Sequence, residues 1–236
     1  MGRAFEYRKE KKFKRWDAMA KNFTKAGREI ALAIKSGGAD AETNAKLRIA
    51  IQNAKGVQMP KDRIEAAIKR ASSKDESNYE EVLYEGYGPF GVAMVIECTT
   101  DNPTRTVSNM RLYFSRGDGS LGTNNSVSFN FERKGVFIIE KNKINLDDVE
   151  LDLIDGGAGD IYSDEEHVFV ETAFTDFGAM QKKLEELHIE LKSAELLYVP
   201  MNKVKISDDQ QEKIYTLIEK FEEDEDVKNV FHNMQE

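Results

Sequence analysis

Across Ser72-Ser-Lys-Asp-Glu-Ser77 the chain changes both the period of its apolar residues and the sign of its charge. Before that stretch the apolar residues follow a helical period. Met19, Phe23, Ala26, Ile30 and Ile34 recur at steps of three and four, one face of an amphipathic helix that Gly37-Gly38 terminates. A second helix is predicted from about Ala41 to Lys55, with Asp40 as N-cap, Leu47, Ala50, Ile51 and Ala54 inward, and Gly56 as terminator. Pro60 suits the first turn of a third, whose apolar face is Ile64, Ala67 and Ile68. Three short helices with alanine-rich contacts form a small bundle over residues 1–75.

After the linker the period shortens to that of strands. Residues 82–88 and 92–100 read as two strands joined by a Gly-Pro-Phe-Gly turn, and Asn102-Pro103 opens a helix reaching about Ser115. A glycine-rich loop and an alternating strand, 127–133, follow. From Gly135 to Pro200 the predicted order is strand 136–140, helix 146–155, strands 160–163 and 167–172, helix 176–188 and strand 192–199. That is the βαββαβ arrangement of a ferredoxin-like unit. The tail adds a helix near 207–223 and a strand, Val227–His232. The fold class is therefore α+β: a helical N-terminal three-helix domain followed by two α+β domains, one of them ferredoxin-like. Strands 82–88, 92–100 and 127–133 with one helix leave a sheet face under-covered, so the tail is expected to pack back on them. The expected division is 1–75, then 76–133 plus 204–236, with 134–203 between.

The net charge of −9 over 236 residues hides an asymmetry. Residues 1–74 hold 19 Lys and Arg against 8 Asp and Glu, a local charge of +11, while the remainder holds 15 against 35, or −20. A basic module on an acidic body is the footprint of a polyanion-binding protein. Its densest part is Arg8-Lys9-Glu10-Lys11-Lys12-Phe13-Lys14-Arg15-Trp16, six basic residues in eight, flanked by Tyr7 and Trp16. Lysine and arginine displace condensed counterions from phosphates, and aromatic rings can stack on unpaired bases. Lys21, Lys25 and Arg28 continue the basic surface, since steps of four and three keep them on one helix face. Lys46, Arg48, Lys55, Lys61, Arg63, Lys69 and Arg70 add charge on the next two helices, without helical arithmetic placing them on one surface.

Other signals exclude more than they suggest. Gly117-Asp-Gly-Ser-Leu-Gly122 spells G-x-G-x-x-G, but a helix precedes it and a strand follows, the reverse of what a dinucleotide site needs. His167, His188 and His232 are far apart, with no metal-ligand spacing, no nucleophile elbow and no P-loop. No catalytic residue, metal or cofactor is expected, and the chain reads as non-enzymatic. A lone Cys98 in an apolar run reads as a buried thiol, and a reducing, cytoplasmic compartment follows. No apolar run approaches the roughly 18 residues of a membrane span, and the N-terminus lacks a signal-peptide core.

Several longer motifs fall in a recognisable order. They are Phe23-Thr-Lys-Ala-Gly-Arg-Glu-Ile30, Gly37-Gly-Ala-Asp40, Asn44-Ala-Lys-Leu-Arg-Ile-Ala-Ile51 and Met59-Pro-Lys-Asp-Arg-Ile-Glu-Ala-Ala-Ile68. Tyr84-Glu-Gly-Tyr-Gly-Pro89, Thr100-Asp-Asn102, Ser126-Val-Ser-Phe-Asn-Phe131, Asp226-Val-Lys-Asn-Val230 and His232-Asn233 continue them. Over almost its whole length the chain resembles the YebC/PmpR family. It departs at Gly2–Arg8, where the family usually has a Gly-His-Ser-Lys-Trp-like segment, and at Asn125, where glycine is expected. The resemblance implies three domains, no enzymatic activity and DNA binding in transcriptional regulation. It also implies an alternative, a translation factor acting on the ribosome through ribosomal RNA and proteins and relieving stalling, as some relatives do. The expected partners are nucleic acid and the proteins of the ribosome or the transcription machinery, with no membrane.

Overall fold

The computed structural model describes residues 19–73 and 78–235. Helices α1 (Met19–Gly37), α2 (Ala45–Gly56) and α3 (Lys61–Ala71) form the expected bundle. Its core is closed by Ile30, Ile34, Leu47, Ala54, Met59 and Ile64. Small alanines at Ala26, Ala33 and Ala50 let the helix axes approach. The second helix starts later than its acidic residues suggested. Asn44, not Asp40, is its cap, accepting from the Leu47 amide at 3.1 Å. The same buried side chain donates to the Ala33 and Gly38 carbonyls at 2.7 and 2.8 Å, tying the end of α1 to the start of α2. Asp40 instead turns its own loop, accepting from the Glu42 amide.

The rest of the chain builds two antiparallel four-stranded sheets. The first contains β1 (Glu80–Tyr87), β2 (Ala93–Thr100), β3 (Ser120–Leu121) and β8 (Val227–His232), in the order β3-β1-β2-β8. The second contains β4 (Phe131–Glu140), β5 (Ala158–Ser163), β6 (His167–Ala173) and β7 (Leu191–Pro200), in the order β5-β6-β4-β7. With α5 (Leu146–Asp155) and α6 (Phe177–Glu186) as crossovers, this is the ferredoxin-like order. Helices α4 (Pro103–Arg116) and α7 (Asp208–Glu223) cover the first sheet. The tail thus returns to that sheet, β8 pairing with β2 from Met94↔His232 to Cys98↔Val227.

The two sheets share a core. Ala93, Val95 and Phe231 on one meet Val136, Ile138, Phe169 and Leu197 on the other. The opposite face of the first sheet packs Met94, Ile96 and Cys98 on Met110, Phe114, Leu217 and Phe221 of its helices. The far face of the second packs Phe137, Ile139 and Val170 on Leu153, Met180 and Leu184. The layers run helix, sheet, sheet, helix. Strand β2 is buried on both faces, which explains why Ala93–Ile96 is a continuous apolar run rather than an alternation; the half-buried Glu97 ends it. Cys98 lies in this core, its thiol pushed up first by burial and then by Asp224, Asp226 and Glu97.

One element differs from the sequence reading. Residues 127–133 and 136–140 are not strands of two sheets. Ser128–Asn130 form a 3-10 turn, and one ten-residue strand, β4, runs from Phe131 in the second sheet. A boundary at 133/134 therefore falls inside a strand. The cause is Glu85, buried on β1, whose carboxylate accepts from the amides of Asn125, Val127 and Ser128, each at 2.8 Å. Those amides cannot also enter a ladder. Asn125 takes φ +64°, the left-handed region that glycine enters freely and asparagine tolerates.

The bundle sits on both sheets. Helix α2 covers the edge strand β7, where the Asn53 amide pairs with Ala194 as a neighbouring strand would, at 2.9 and 3.0 Å. Gly56 allows this approach, since a Cβ there would meet the Lys192 carbonyl. Gly56→Ala should destabilise the protein by about 1–3 kcal/mol, the cost of overpacking. In a helix free of β7 the same change would stabilise by up to about 1 kcal/mol. Urea unfolding therefore reads the docking from the sign of the change.

Candidate nucleic-acid interface

The basic residues divide into those spent inside the molecule and those left facing solvent. Of the cluster chosen from sequence, Arg8, Lys9, Lys11, Lys12, Lys14, Arg15 and Trp16 lie outside the described residues. Lys21, Lys25 and Arg28 share one face of α1, as their spacing required, but that face does not point wholly to solvent. Lys21 is exposed and Lys25 half-buried. Arg28 is turned inward. Its side chain is 13% exposed, and its guanidinium donates to the Asp226 carboxylate at 2.9 Å, to the Thr99 carbonyl at 3.2 Å and to the Glu225 carbonyl. The stripe runs against the acidic end of α7, whose Glu223 is held below the usual carboxylate range by Lys220 first and Lys21 more weakly. Arg28 therefore does not extend an open cationic face. Its acidic partner lies 198 residues away, beyond the reach of any local pattern.

Asp226 is the centre of this junction. Besides Arg28 it accepts from Arg105 at 2.8 Å, Thr106 at 2.9 Å and Thr100 at 3.1 Å. Asn102 caps α4 through the Arg105 amide and Pro103 fills its first position, so Arg105 and Thr106 sit in a fixed first turn beneath the aspartate. Burial opposes the charge on Asp226. The hydrogen bonds from Arg105, Thr106 and Thr100 outweigh it and hold the carboxyl below the ordinary aspartate range. Thr100-Asp101-Asn102-Pro103 is thus part of an internal joint between the bundle and the body.

Elsewhere on the bundle, Arg48 meets Glu185 through two nitrogens at 2.8 and 3.1 Å, and Lys35 donates to the Tyr79 carbonyl. What remains outward is α3. Ile64 is the buried residue of its face toward the bundle, while Arg63, Ala66, Lys69 and Arg70 are exposed. Arg63 and Arg70, seven apart, stand on one side of the helix. Lys69 and Arg70 also lie in its last turn, where the helix dipole favours cations. Lys46 and Lys55 are exposed on α2. Sequence reasoning counted these charges without ranking them, because only the burial of Arg28 and the ion pair of Arg48 with the distant Glu185 separate those two from the rest.

No chemistry-bearing cluster competes with this surface among the described residues. No group of three or more His, Cys, Asp and Glu side chains there is arranged to hold a metal ion, and no helix is long and apolar enough to cross a membrane. Among the described residues an open cleft is lined by Glu140, Glu165, Glu166, His167 and Lys192. Its buried His167 lies with Nε2 2.6 Å from the Lys192 Nζ, and its pKa is lowered by burial and then by that lysine. A neutral imidazole accepting from an ammonium accounts for the geometry.

Fold and charge together define the class: a cationic helical bundle set on an anionic double-sheet body. The chain belongs to the TACO1/YebC family. The family's N-terminal domain matches residues 3–74, and its second and third domains match residues 79–234. Proteins named "Probable transcriptional regulatory protein" from Cytophaga hutchinsonii and Parabacteroides distasonis are 55% and 52% identical. Each alignment covers 100% of this chain and 99% or 98% of the relative. The crystal structure of a conserved hypothetical protein from Aquifex aeolicus is similar with a TM-score of 0.80 at 35% identity, covering 94% of this chain and 93% of that one.

The Asp226 joint makes a pH prediction. A carboxyl held below its unfolded value of about 3.9 contributes stability that is complete above that pH and is lost as pH falls through the lower folded value. Asp226→Asn, which removes the negative charge facing Arg28 and Arg105 and replaces one of the two accepting oxygens by a donor, should cost about 3 kcal/mol at pH 7. The gap between wild type and variant should narrow as pH is lowered from 5 to 3. Urea unfolding at pH 7, 5 and 3 measures it.

Proposed function

We propose that this protein is a non-enzymatic regulator that binds nucleic acid, with DNA in transcriptional control as its target, through the cationic outer surface of its N-terminal bundle. The observation carrying this reading is the outward face of α3, where Arg63, Lys69 and Arg70 are exposed while Arg28 and Arg48 are engaged internally. A face that keeps its cations in solvent gains affinity for phosphates by counterion release. The charge of −20 on the rest of the chain limits unspecific collapse onto polyanions and leaves the bundle as the favourable point of approach. The names of the relatives agree with a regulator. The basic run from Arg8 to Arg15 extends the same reading in sequence.

A second reading, a cytoplasmic translation factor on the ribosome, draws on the same bundle and on that acidic body, whose charge suits basic proteins. The two part company on the target. A DNA regulator prefers particular duplexes over random ones by about 4–10 kcal/mol. Strong comigration with ribosomes in cells that show no enrichment on DNA would remove the transcriptional reading.

The bundle itself is tested by the triple variant Arg63→Ala, Lys69→Ala, Arg70→Ala. If each side chain meets a phosphate, the slope of log affinity against log salt on duplex DNA should fall by about 2.7, roughly 0.9 per contact. Affinity should drop across all sequences alike. An unchanged slope would remove α3 from the interface.

A further inference from the structure

Between Gly119 and Phe131 the chain carries thirteen consecutive residues without a charged side chain, in a protein one-third charged. The stretch is rich instead in Ser120, Thr123, Asn124, Asn125, Ser126, Ser128 and Asn130. It is held more firmly than a connecting loop needs to be. The Gly122 amide donates to the Glu85 carbonyl at 2.7 Å, and the Glu85 carboxylate then takes the amides of Asn125, Val127 and Ser128. Glu85, 4% exposed, thus holds one end of the turn by its carbonyl and the other by its carboxylate.

What the strapped turn displays is Phe129, 64% exposed at its tip. The Met201 amide donates to the Asn130 carbonyl at 2.9 Å, so a second exposed apolar residue, 59% accessible, is tied to the turn, with Asn202 following. Further along the same pair of strands Arg133 lies over the rings of Phe174 and Tyr198, at 4.5 and 5.6 Å. Glu132, the exposed acid nearest in sequence, lies 3.7 Å from Lys134. A flexible loop would tuck such a ring away. Holding it in water by a satisfied buried carboxylate is preorganisation, which lowers the ordering cost of binding.

We propose that Phe129 is a stacking platform for an unpaired nucleobase, with the surrounding asparagine and serine groups supplying hydrogen bonds to base edges. This rests on the nucleic-acid reading above and adds a second contact, on the body rather than the bundle. The chemistry favours a base over a phosphate, because the stretch offers no cation of its own, and over the charged rim of a protein partner, because it offers no anion. An aromatic face with amide neighbours meets a flat, neutral heterocycle on both counts.

The test uses three DNA probes: a blunt duplex, the same duplex with a twelve-nucleotide single-stranded extension, and the extension alone. Wild type should bind the extended duplex more tightly than the blunt one. Phe129→Ala should lose about tenfold on the two probes with unpaired bases, the size of one lost stack, and nothing on the blunt duplex. Phe129→Trp should restore binding, and Phe129→Leu, apolar but unable to stack, should not. Unchanged thermal melting of all three variants verifies the fold. If Phe129→Ala is silent on every probe, or Phe129→Leu binds as wild type does, the platform is overturned. The bundle reading survives that result provided the α3 triple variant weakens all three probes. If wild type binds no probe, the nucleic-acid reading falls and takes the platform with it.

Discussion

Asp226 receives donors from α1, from the end of β2 and from the first turn of α4, while its own chain leads directly into β8. Each neighbour depends on it differently. Without the aspartate, the largely buried Arg28 would keep only the exposed Glu225 at 3.5 Å as counter-charge, and the half-exposed Arg105 only Asp101 at 2.9 Å. Thr100 and Thr106 would lose an acceptor. Without the arginines, the buried carboxylate would protonate or leave. Because the segments it joins are far apart in sequence, this carboxylate also sets where the bundle rests on the first sheet. The Thr99 amide adds a main-chain bond to the Asp226 carbonyl at 2.7 Å, so the joint is held at the backbone as well.

From that joint follows the division of charge over the bundle. Its apolar core is its own, and the docking contacts around it are largely polar: Arg28 with Asp226, Lys228 with Glu29 at 3.0 Å, Arg48 with Glu185, and the Asn53 amide on the β7 edge. Such contacts are directional, so they orient the bundle more than they glue it. The cations on the docked faces of α1 and α2 are consumed in the process. Arg63, Lys69 and Arg70 on α3 are not, because α3 packs inward through Ile64 and presents its other side to water. The double-sheet body is joined differently, through an apolar seam in which β2 is buried on both sides. This seam covers the ferredoxin-like sheet face that a related fold could offer to RNA, and contacts from the body must come from its loops and edges.

Much of this was readable beforehand. The period of three and four in α1, Asn102-Pro103 at the start of α4 and the βαββαβ order between Gly135 and Pro200 are local signals, and each is found in the fold, although the first strand of that order begins earlier, at Phe131. The tail returned to the first sheet because a sheet face with one helix had apolar surface left to cover. The failures are equally specific. Asp40 lost the cap of α2 to Asn44 because Asn44 can also reach the end of α1. The alternation over 127–133 imitated a strand, but a buried glutamate forty residues earlier had claimed the amides. In the candidate site, Lys21, Lys25 and Arg28 were correctly placed on one helix face, yet Arg28 turned out to be spent on a residue near the other end of the chain.

The sequence alone determined most of the elements, the α+β class and the segregation of charge, since all three are written in spacing and composition within short windows. Tertiary structure decided which charges remain available, which loop is strapped and which ring is left in water. Burial and ion pairing depend on residues brought together across as many as 198 positions, and their cost is set by local dielectric, which no linear pattern records.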